Sequence, residues 1–334
     1  MKLPTPRWWY VRHGAPAPVT RALLRPISWI WAAVTARRIA TTEPVDVGVP
    51  VICVGNLTAG GTGKTPVVAE LLRRLNARGV VVHGLSRGYG GSLAGPVRVD
   101  PRTHTAAQVG DEPLMLAAVA PIWVARDRPA GAQAAVAAGA QVIVMDDGHQ
   151  NPSLRKTLSL VVVDGETRNN EWPLGDGAVF PSGPLREPLG AGLARADAVI
   201  LMLPADLERP DLDLLRIFGK TPVLIARLLP TNPPPSGPQV GFAGIGKPWK
   251  VERALQAAGC DLRDFVSFPD HATYDERSLA GLVNLAQRHD AGLITTQKDW
   301  VRLPPAWRGR VAAWPVAAVF EDETAVASLL SGLA

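Results

Sequence analysis

The chain has 334 residues, enough for two domains with a sizeable core, and a formal net charge of +5 at pH 7. The charge is uneven, because the first 40 residues contain no acidic residue and the basic residues Lys2, Arg7, Arg12, Arg21, Arg25, Arg37 and Arg38. The rest of the chain is close to neutral, so we expect no nucleic-acid partner. Its two cysteines lie far apart, which excludes a disulfide framework and fits a reducing cytosol.

Residues 1–40 form the first predicted unit, an amphipathic segment rich in tryptophan. A helix here, with Pro26 in its first turn, would carry an apolar stripe of Leu23, Ile27, Ile30 and Val34 opposite Arg21, Arg25, Ser28 and Thr35. The stripe is too short to span a bilayer, and with its cations and aromatic residues it is typical of a helix on a membrane surface. The alternative is an amphipathic helix packed on its own domain.

The segment from Val49 to Arg78 is the strongest signal in the chain. A short apolar run, Val49 to Val54, predicts a buried strand, and Val67, Val68, Leu71, Leu72 and Leu75 recur at helical spacing. Between them lies a glycine-rich loop that ends in Gly63-Lys64-Thr65. Strand, glycine loop, Lys-Thr and helix form the phosphate-binding P-loop arrangement, although Thr58 stands where the general pattern has its first glycine.

The P-loop pattern predicts an ATP site. Backbone amides of the loop would contact the phosphates, Lys64 would place its charge on the β and γ phosphates, and the Thr65 hydroxyl would ligate Mg²⁺. The predicted ATP-binding residues are Thr58, Ala59, Gly60, Gly61, Thr62, Gly63, Lys64 and Thr65.

Two further polar clusters follow predicted elements. Arg87, in the loop after the predicted strand Val80–Leu85, is a candidate phosphate ligand, or else part of a surface turn. Gly110-Asp111-Glu112-Pro113 precedes an apolar helix. Acids at a helix start are often only caps, but beside a P-loop Asp111 is a candidate base for a substrate hydroxyl.

The strand Val142–Met145 ends in Asp146 and Asp147, which is the form of a Walker-B motif. We expect these carboxylates to hold Mg²⁺ together with Thr65.

His149, just beyond, is either a supporting residue or an ordinary loop residue. Further on, a proline-rich loop contains Arg186 and Glu187, which either touch the substrate or form a surface ion pair.

The pattern predicts an α/β fold with a P-loop NTPase-like parallel-sheet domain at 41–230 and a second, smaller α/β domain at 239–334. Residues 231–238, rich in proline, would be the linker. In the second domain, Asp270 and His271 lie together in a proline-bounded turn. The sequence pattern alone does not decide whether His271 is a site residue or a loop histidine without a functional role.

Taken in order, the motifs resemble the tetraacyldisaccharide 4′-kinase family of the lipid A pathway. They are VGNLTAGGTGKTP, SRGYGG, GDEP, DDGHQN, PLREPL, FAGIGKP, FPDH-x-x-Y and T-x-K-D-x-VRL. Thr58 is normal in that family, whereas Gln297 stands where it usually has Glu.

The resemblance implies transfer of the ATP γ-phosphate to the 4′-hydroxyl of a lipid disaccharide 1-phosphate. It also implies a monotopic, peripheral enzyme on the cytoplasmic face of the bacterial inner membrane, with no protein partner expected. The family's catalytic carboxylate corresponds to Asp111 and its histidine to His271. With Lys64 they form the predicted catalytic set.

Two other classes remain as alternatives. One is a dimeric P-loop ATPase of the motor or metal-insertion kind, but the lysine that marks its loop is Ala59 here. The other is a non-catalytic nucleotide-binding membrane module, in which Asp111, Asp146 and His271 would share no task.

Overall fold

The computed structural model describes residues 6–14 and 16–333. Lys2 of the predicted N-terminal segment and Ala334 at the end of the predicted second domain lie outside the described residues. A short 3₁₀ turn, Arg7–Tyr10, precedes the first helix.

The helices and strands follow one another in an α/β order. The helices are Pro18–Thr41 (α1), Lys64–Ala77 (α2), Ala106–Val109 (α3), Asp111–Leu116 (α4), Arg128–Ala137 (α5), Leu189–Leu193 (α6), Leu212–Ile217 (α7), Pro248–Ala257 (α8), Glu276–Arg288 (α9), Gln297–Trp300 (α10), Pro305–Arg308 (α11) and Glu323–Leu329 (α12). The strands are Val51–Gly55 (β1), Val82–Ser86 (β2), Val97–Arg98 (β3), Ile122–Val124 (β4), Val142–Asp146 (β5), Leu158–Asp164 (β6), Ala198–Leu203 (β7), Val223–Pro230 (β8), Gln239–Ala243 (β9), Leu262–Ser267 (β10), Gly292–Thr296 (β11), Val311–Trp314 (β12) and Val316–Phe320 (β13).

A nine-stranded sheet forms the large unit, with the order β13-β8-β7-β6-β1-β5-β2-β4-β3. Its strands are parallel except β3 and β13, which are antiparallel edge strands. The central strands β1, β5 and β7 are buried along their whole length, as the apolar runs in the sequence predict. This arrangement confirms the predicted α/β class with a large, mainly parallel sheet.

The order of the strands explains where the site lies. β1 sits between β5 and β6, so its carboxyl end, which leads into the glycine loop, meets the carboxyl end of β5 and its terminal Asp146. Val54 of β1 is directly paired with Asp146. In open α/β sheets ligands bind at such an edge.

A four-stranded parallel sheet, β10-β9-β11-β12, forms the second and smaller unit. The predicted division at 239–334 differs from the structure at its C-terminal end. The small sheet ends at Trp314, after which β13 pairs with β8 and α12 packs its Val326 into the core of the large unit. The chain therefore crosses between the units twice, through residues 231–238 and at Pro315, and Thr231 N donates to Pro315 O at 3.1 Å.

Helix α1 lies with its polar face against the large unit. Ser28 and Thr35 are buried, whereas Leu23, Ile27, Ile30 and Val34 are exposed. The helix therefore packs on its own domain, as the alternative expects, but it does so through polar residues, and the apolar stripe faces outward. Pro26 lies in the interior of the helix rather than in its first turn. Among the described residues, no helix has both the length and the hydropathy needed to cross a bilayer.

Candidate active site

The glycine loop connects β1 to α2 and presents unused backbone amides. Gly60 and Gly63 have φ angles of 94° and 85°, a left-handed conformation that favours glycine. No hydrogen bond in the described chain uses the amide N–H groups of residues 60–63. Together with the N-terminus of the 14-residue helix α2, these amides form an anion site of the kind that P-loops use.

The first part of the glycine loop is braced by the proline-rich loop. Ala59 N donates to Pro184 O at 2.8 Å, and Arg186 Nε donates to Thr58 O at 3.1 Å. The amide of Ala59 is therefore already engaged, unlike those that follow it. From the inside, Asn56 Nδ2 donates to Thr58 O at 2.8 Å. A buried amide side chain thus shapes the loop where the general pattern has a glycine.

Lys64 and the two acids that end β5 form a charged group beside the loop. Lys64 Nζ lies 3.6 Å from Asp147 Oδ1, and Arg186 Nη1 donates to the same oxygen at 2.7 Å. Burial lowers the pKa of Lys64, opposed by Asp147. Burial alone would raise the pKa of Asp147, but Lys64 and Arg186 outweigh it and hold that pKa well below its usual range.

Asp146 differs from Asp147 because, within the described structure, one of its carboxylate oxygens has no hydrogen-bond partner. Asp146 is buried, and the oxygen without a partner is its Oδ1. Burial raises the pKa of Asp146 to about 7, with Lys64 opposing. A buried carboxylate oxygen without a partner, close to a threonine-bearing phosphate loop, is the donor set that Mg²⁺ prefers.

Asp111 and His271 meet across the two units. Nδ1 of His271 donates to Asp111 Oδ2 at 3.0 Å, and Arg302 Nε lies 3.0 Å from the same oxygen. Lys298 Nζ is 3.9 Å from it and forms a 2.6 Å ion pair with Glu112. Burial favours a raised pKa for Asp111, but His271, Lys298 and Arg302 outweigh it, so the pKa is strongly lowered and the carboxylate stays charged.

The backbone holds His271 in an unusual conformation. Its φ is 56°, a region that costs free energy for a residue with a side chain. Its amide donates to Gly244 O at 3.1 Å, and the ring meets Tyr89 edge-on at 5.5 Å. Asp299, fully buried, accepts from Gly244 N at 2.8 Å and from Tyr274 at 2.6 Å. The small unit therefore has a polar network that fixes the histidine.

The predicted site residues are not all brought together. Arg87 is exposed in the loop after β2, and its guanidinium charge acts on the buried Arg128. Arg186 binds the glycine loop and Asp147, as described above. Glu187 is buried, and Arg195 occupies both of its oxygens at 2.6 and 2.7 Å. Arg186 and Glu187 thus pair with different residues, Asp147 and Arg195, and not with each other. Because Arg195 occupies the Glu187 carboxylate, the geometry does not favour its predicted contact with the substrate.

Sequence reasoning missed three arginines that line a cavity of about 500 Å³ next to α1. Arg38, Arg126 and Arg128 donate to backbone carbonyls, and within the described chain none of them lies within 4.0 Å of a carboxylate. Arg126 and Arg128 lie two residues apart and Arg38 lies far from them in the sequence, so no sequence pattern predicted that the three meet. Lys298 and Arg302 belong to the motif T-x-K-D-x-VRL, but α10 ends at Trp300 and Arg302 lies in the turn beyond it, so helical spacing did not predict that both approach Asp111.

Comparisons with known proteins agree over nearly the whole chain. A family model described as tetraacyldisaccharide-1-P 4′-kinase matches residues 20–334. The tetraacyldisaccharide 4′-kinase of Caulobacter vibrioides is 68% identical over 333 residues, covering 100% of this chain and 99% of the relative. That of Phenylobacterium zucineum is 67% identical over 333 residues, covering 100% of both.

A solved structure has the same fold. The crystal structure of LpxK from Aquifex aeolicus in complex with ATP superposes with a TM-score of 0.71 at 24% sequence identity, covering 94% of this chain and 99% of that one. The motor-type ATPase and the non-catalytic module that the sequence left open are disfavoured by these findings. The predicted resemblance is confirmed, and the chain belongs to the tetraacyldisaccharide 4′-kinase family, the kinases of lipid A biosynthesis.

Proposed function

We propose that this chain performs the family's phosphoryl transfer with Asp111 as the group that receives the proton. The 4′-hydroxyl oxygen would form a bond to the γ-phosphorus of ATP as the bond to the β–γ bridging oxygen breaks. The hydroxyl proton would pass to Asp111, and ADP would leave. The observation that carries this proposal is the 3.0 Å contact between Asp111 and His271, which joins the two units at one carboxylate.

Asp111 has a low pKa, yet it is proposed to receive a proton. A carboxylate surrounded by cations is a weak base, but phosphoryl transfer has a loose transition state in which the nucleophile is deprotonated late. Orientation of the hydroxyl then matters more than basicity. The surrounding cations keep Asp111 ionised and able to accept, and His271 holds it in place.

For ATP we propose the glycine loop as the binding site. Residues 60–63 would give their free amides to the phosphates, while Thr58 and Ala59 shape the loop. Lys64 would neutralise charge that develops in the transition state. The negative charge of Glu112 acts to raise the pKa of both Lys64 and Asp146. This electrostatic contact supports one continuous site between the phosphate loop and the start of α4.

For Mg²⁺ we propose Asp146 and Thr65 as the principal protein ligands. The partnerless Oδ1 of Asp146 supports this choice, whereas Asp147 is already engaged by Lys64 and Arg186. Asp147 would act by orienting those two cations. Bound Mg²⁺ would supply charge neutralisation at the phosphates.

The lipid substrate requires a surface and a second anion site. We propose that the exposed stripe of α1 lies on the cytoplasmic face of the inner membrane, where its basic residues would contact anionic headgroups. The 1-phosphate of the substrate would enter the cavity of Arg38, Arg126 and Arg128, none of which forms an ion pair with a carboxylate within the described residues. Arg87 remains a candidate for contact with the sugar.

A transfer assay tests the proposed function. Labelled γ-phosphate is followed from ATP to a tetraacyldisaccharide 1-phosphate with the full chain, with Mg²⁺ and after chelation. We expect label at the 4′ position, loss of transfer without Mg²⁺, and loss with Lys64→Met. Transfer that persists in Lys64→Met would overturn the proposal.

A further inference from the structure

Tyr10 contacts the phosphate loop although it lies far from it in sequence. Its hydroxyl donates to the carbonyl oxygen of Ala59, and its own carbonyl accepts from Trp172 N at 2.7 Å. Burial raises the pKa of Tyr10 to about 12, so the hydroxyl keeps its proton and acts as a donor. The mechanism above assigns this tyrosine no role.

The bond from Tyr10 controls one peptide of the loop. The carbonyl of Ala59 and the N–H of Gly60 belong to the same planar trans peptide and point in opposite directions. Because the Ala59 carbonyl is held toward the tyrosine hydroxyl, the Gly60 N–H is held on the opposite side of the peptide, away from Tyr10. Gly60 has a φ of 94°, and as a glycine it has little intrinsic resistance to rotation of this peptide. Without the tyrosine hydroxyl, the carbonyl is free to turn inward, where it would repel phosphate.

Helix α1 acts on the same loop indirectly, through Arg186. Trp31 Nε1 donates to the carbonyl of Arg186 at 2.9 Å, and Arg186 Nε donates to Thr58 O at 3.1 Å. Ser28 of the same helix is 2.9 Å from Ser182, in the loop that carries Arg186. The N-terminal segment thus supports the phosphate loop at two separate points.

The small unit reaches Tyr10 as well. Lys247 Nζ lies 5.5 Å from the centre of the tyrosine ring and is held by Asp164 at 3.0 Å and Glu171 at 2.9 Å. A Cβ built on Gly246, the preceding residue, would be 3.8 Å from Gly61 N. Tyr10 therefore lies where the N-terminal segment, the phosphate loop and the small unit meet.

We infer that Tyr10 is a positioning residue for the reaction, which fixes the Ala59–Gly60 peptide so that its amide is available to the nucleotide phosphates. The inference rests on the proposed function, because it assumes that the loop binds ATP. It gives the N-terminal segment a second task beyond membrane contact. Trp31 supports the same loop through Arg186.

The test removes single hydrogen-bonding groups and keeps an aromatic side chain at each position. Tyr10→Phe deletes the hydroxyl. We expect the Kd for ATP and for ADP to rise about five- to tenfold, because the nucleotide phosphates would lose one hydrogen bond from the Gly60 amide. We expect kcat to fall, while the KM for the lipid and binding to phosphatidylglycerol-containing vesicles stay unchanged. Trp31→Phe should weaken ATP binding in the same direction, and Trp29→Phe, which changes an exposed tryptophan of the same helix, is the control for nucleotide affinity.

A merely structural role predicts a different result. A destabilised Tyr10→Phe would lower the folded fraction and kcat but leave the Kd of the folded protein for ATP unchanged, and that result would overturn the inference. If wild-type protein transfers phosphate and Lys64→Met does not, while Tyr10→Phe equals wild type, only the inference fails. If wild-type protein does not transfer phosphate, the proposed function itself fails.

Discussion

His149 lies two residues from Asp147 in the sequence but belongs to the core of the large unit. Nδ1 is 3.0 Å from the Ser159 hydroxyl and Nε2 is 2.9 Å from Gly192 O, and both contacts are buried. Burial lowers the pKa of His149 to about 4, so the neutral ring is the native form. Of the two roles left open by the sequence, the structure favours a packed supporting residue.

This buried histidine predicts a pH dependence of stability. Its folded-state pKa lies below the unfolded value of about 6.5, so its stabilising contribution is present above pH 6.5 and is lost as the pH falls toward 4, by at most about 3 kcal/mol. Denaturant titrations between these pH values should show a steeper loss for wild type than for His149→Gln. The exposed His289→Gln is the control and should keep the wild-type slope. Equal slopes for wild type and His149→Gln would contradict the prediction.

At the scale of single residues, the sequence predicted what depends on local pattern. Lys64 and Asp146 were identified because strand, loop and helix signals surround them. The partnership of Asp111 with His271 came only from the family resemblance, because 160 residues separate them. Glu187 was a candidate for substrate contact or for a surface ion pair with Arg186, because nothing in the sequence indicates that Arg195 occupies its carboxylate.

Among the elements, α1 shows how far an amphipathic pattern can be interpreted. The sequence predicted its apolar stripe but left open whether that stripe packs inward or faces out. The orientation depends on tertiary contacts, such as Ser28 with Ser182 and Arg38 with Gln150, which a helical period does not encode.

The exposed stripe of α1 predicts membrane binding that can be removed by charge. Ile27→Glu combined with Ile30→Glu should lower binding to mixed phosphatidylcholine and phosphatidylglycerol vesicles by at least about tenfold, because carboxylates oppose insertion among anionic headgroups. Leu212→Glu, which changes an exposed leucine at the start of α7, should leave sedimentation with vesicles unchanged. Equal binding of the stripe variant and wild type would remove α1 as the membrane contact.

For the whole molecule, the return of the chain to the large sheet could not be predicted from sequence. The apolar run Val316–Phe320 is a clear strand, but its pattern does not say which sheet it joins. Its antiparallel pairing with β8 and the two crossings of the chain make the small unit an insertion within the large one.

Ion pairs of Asp164 with Lys247 and Lys250 join the large unit to the small one. Asp164 accepts from Lys247 at 3.0 Å and from Lys250 at 2.8 Å, and these lysines keep its pKa at about 2 although burial alone would raise it. Removing the Asp164 carboxylate leaves Lys247 paired with Glu171 and, among the described residues, leaves Lys250 with no carboxylate partner.

Asp164→Asn should therefore loosen the small unit. We expect faster proteolysis within residues 231–238 and a fall in kcat/KM of about tenfold or more, since one missing partner of a buried pair costs several kcal/mol. Asp206→Asn removes a carboxylate that pairs with Arg168 inside the large unit, and it is the matched control. If both variants behave alike, the pairs of Asp164 do not hold the units together.

We propose that the two units form one active site through Asp111 and His271. A double-mutant cycle on kcat for labelled phosphate transfer tests it most directly, with ATP affinity measured in parallel. We predict that Asp111→Asn and His271→Gln each lower kcat by about 10²- to 10⁴-fold, that the double variant is little worse than Asp111→Asn, and that the Kd for ATP changes less than about threefold. Losses that multiply in the double variant, or unchanged turnover in either single variant, would contradict the account.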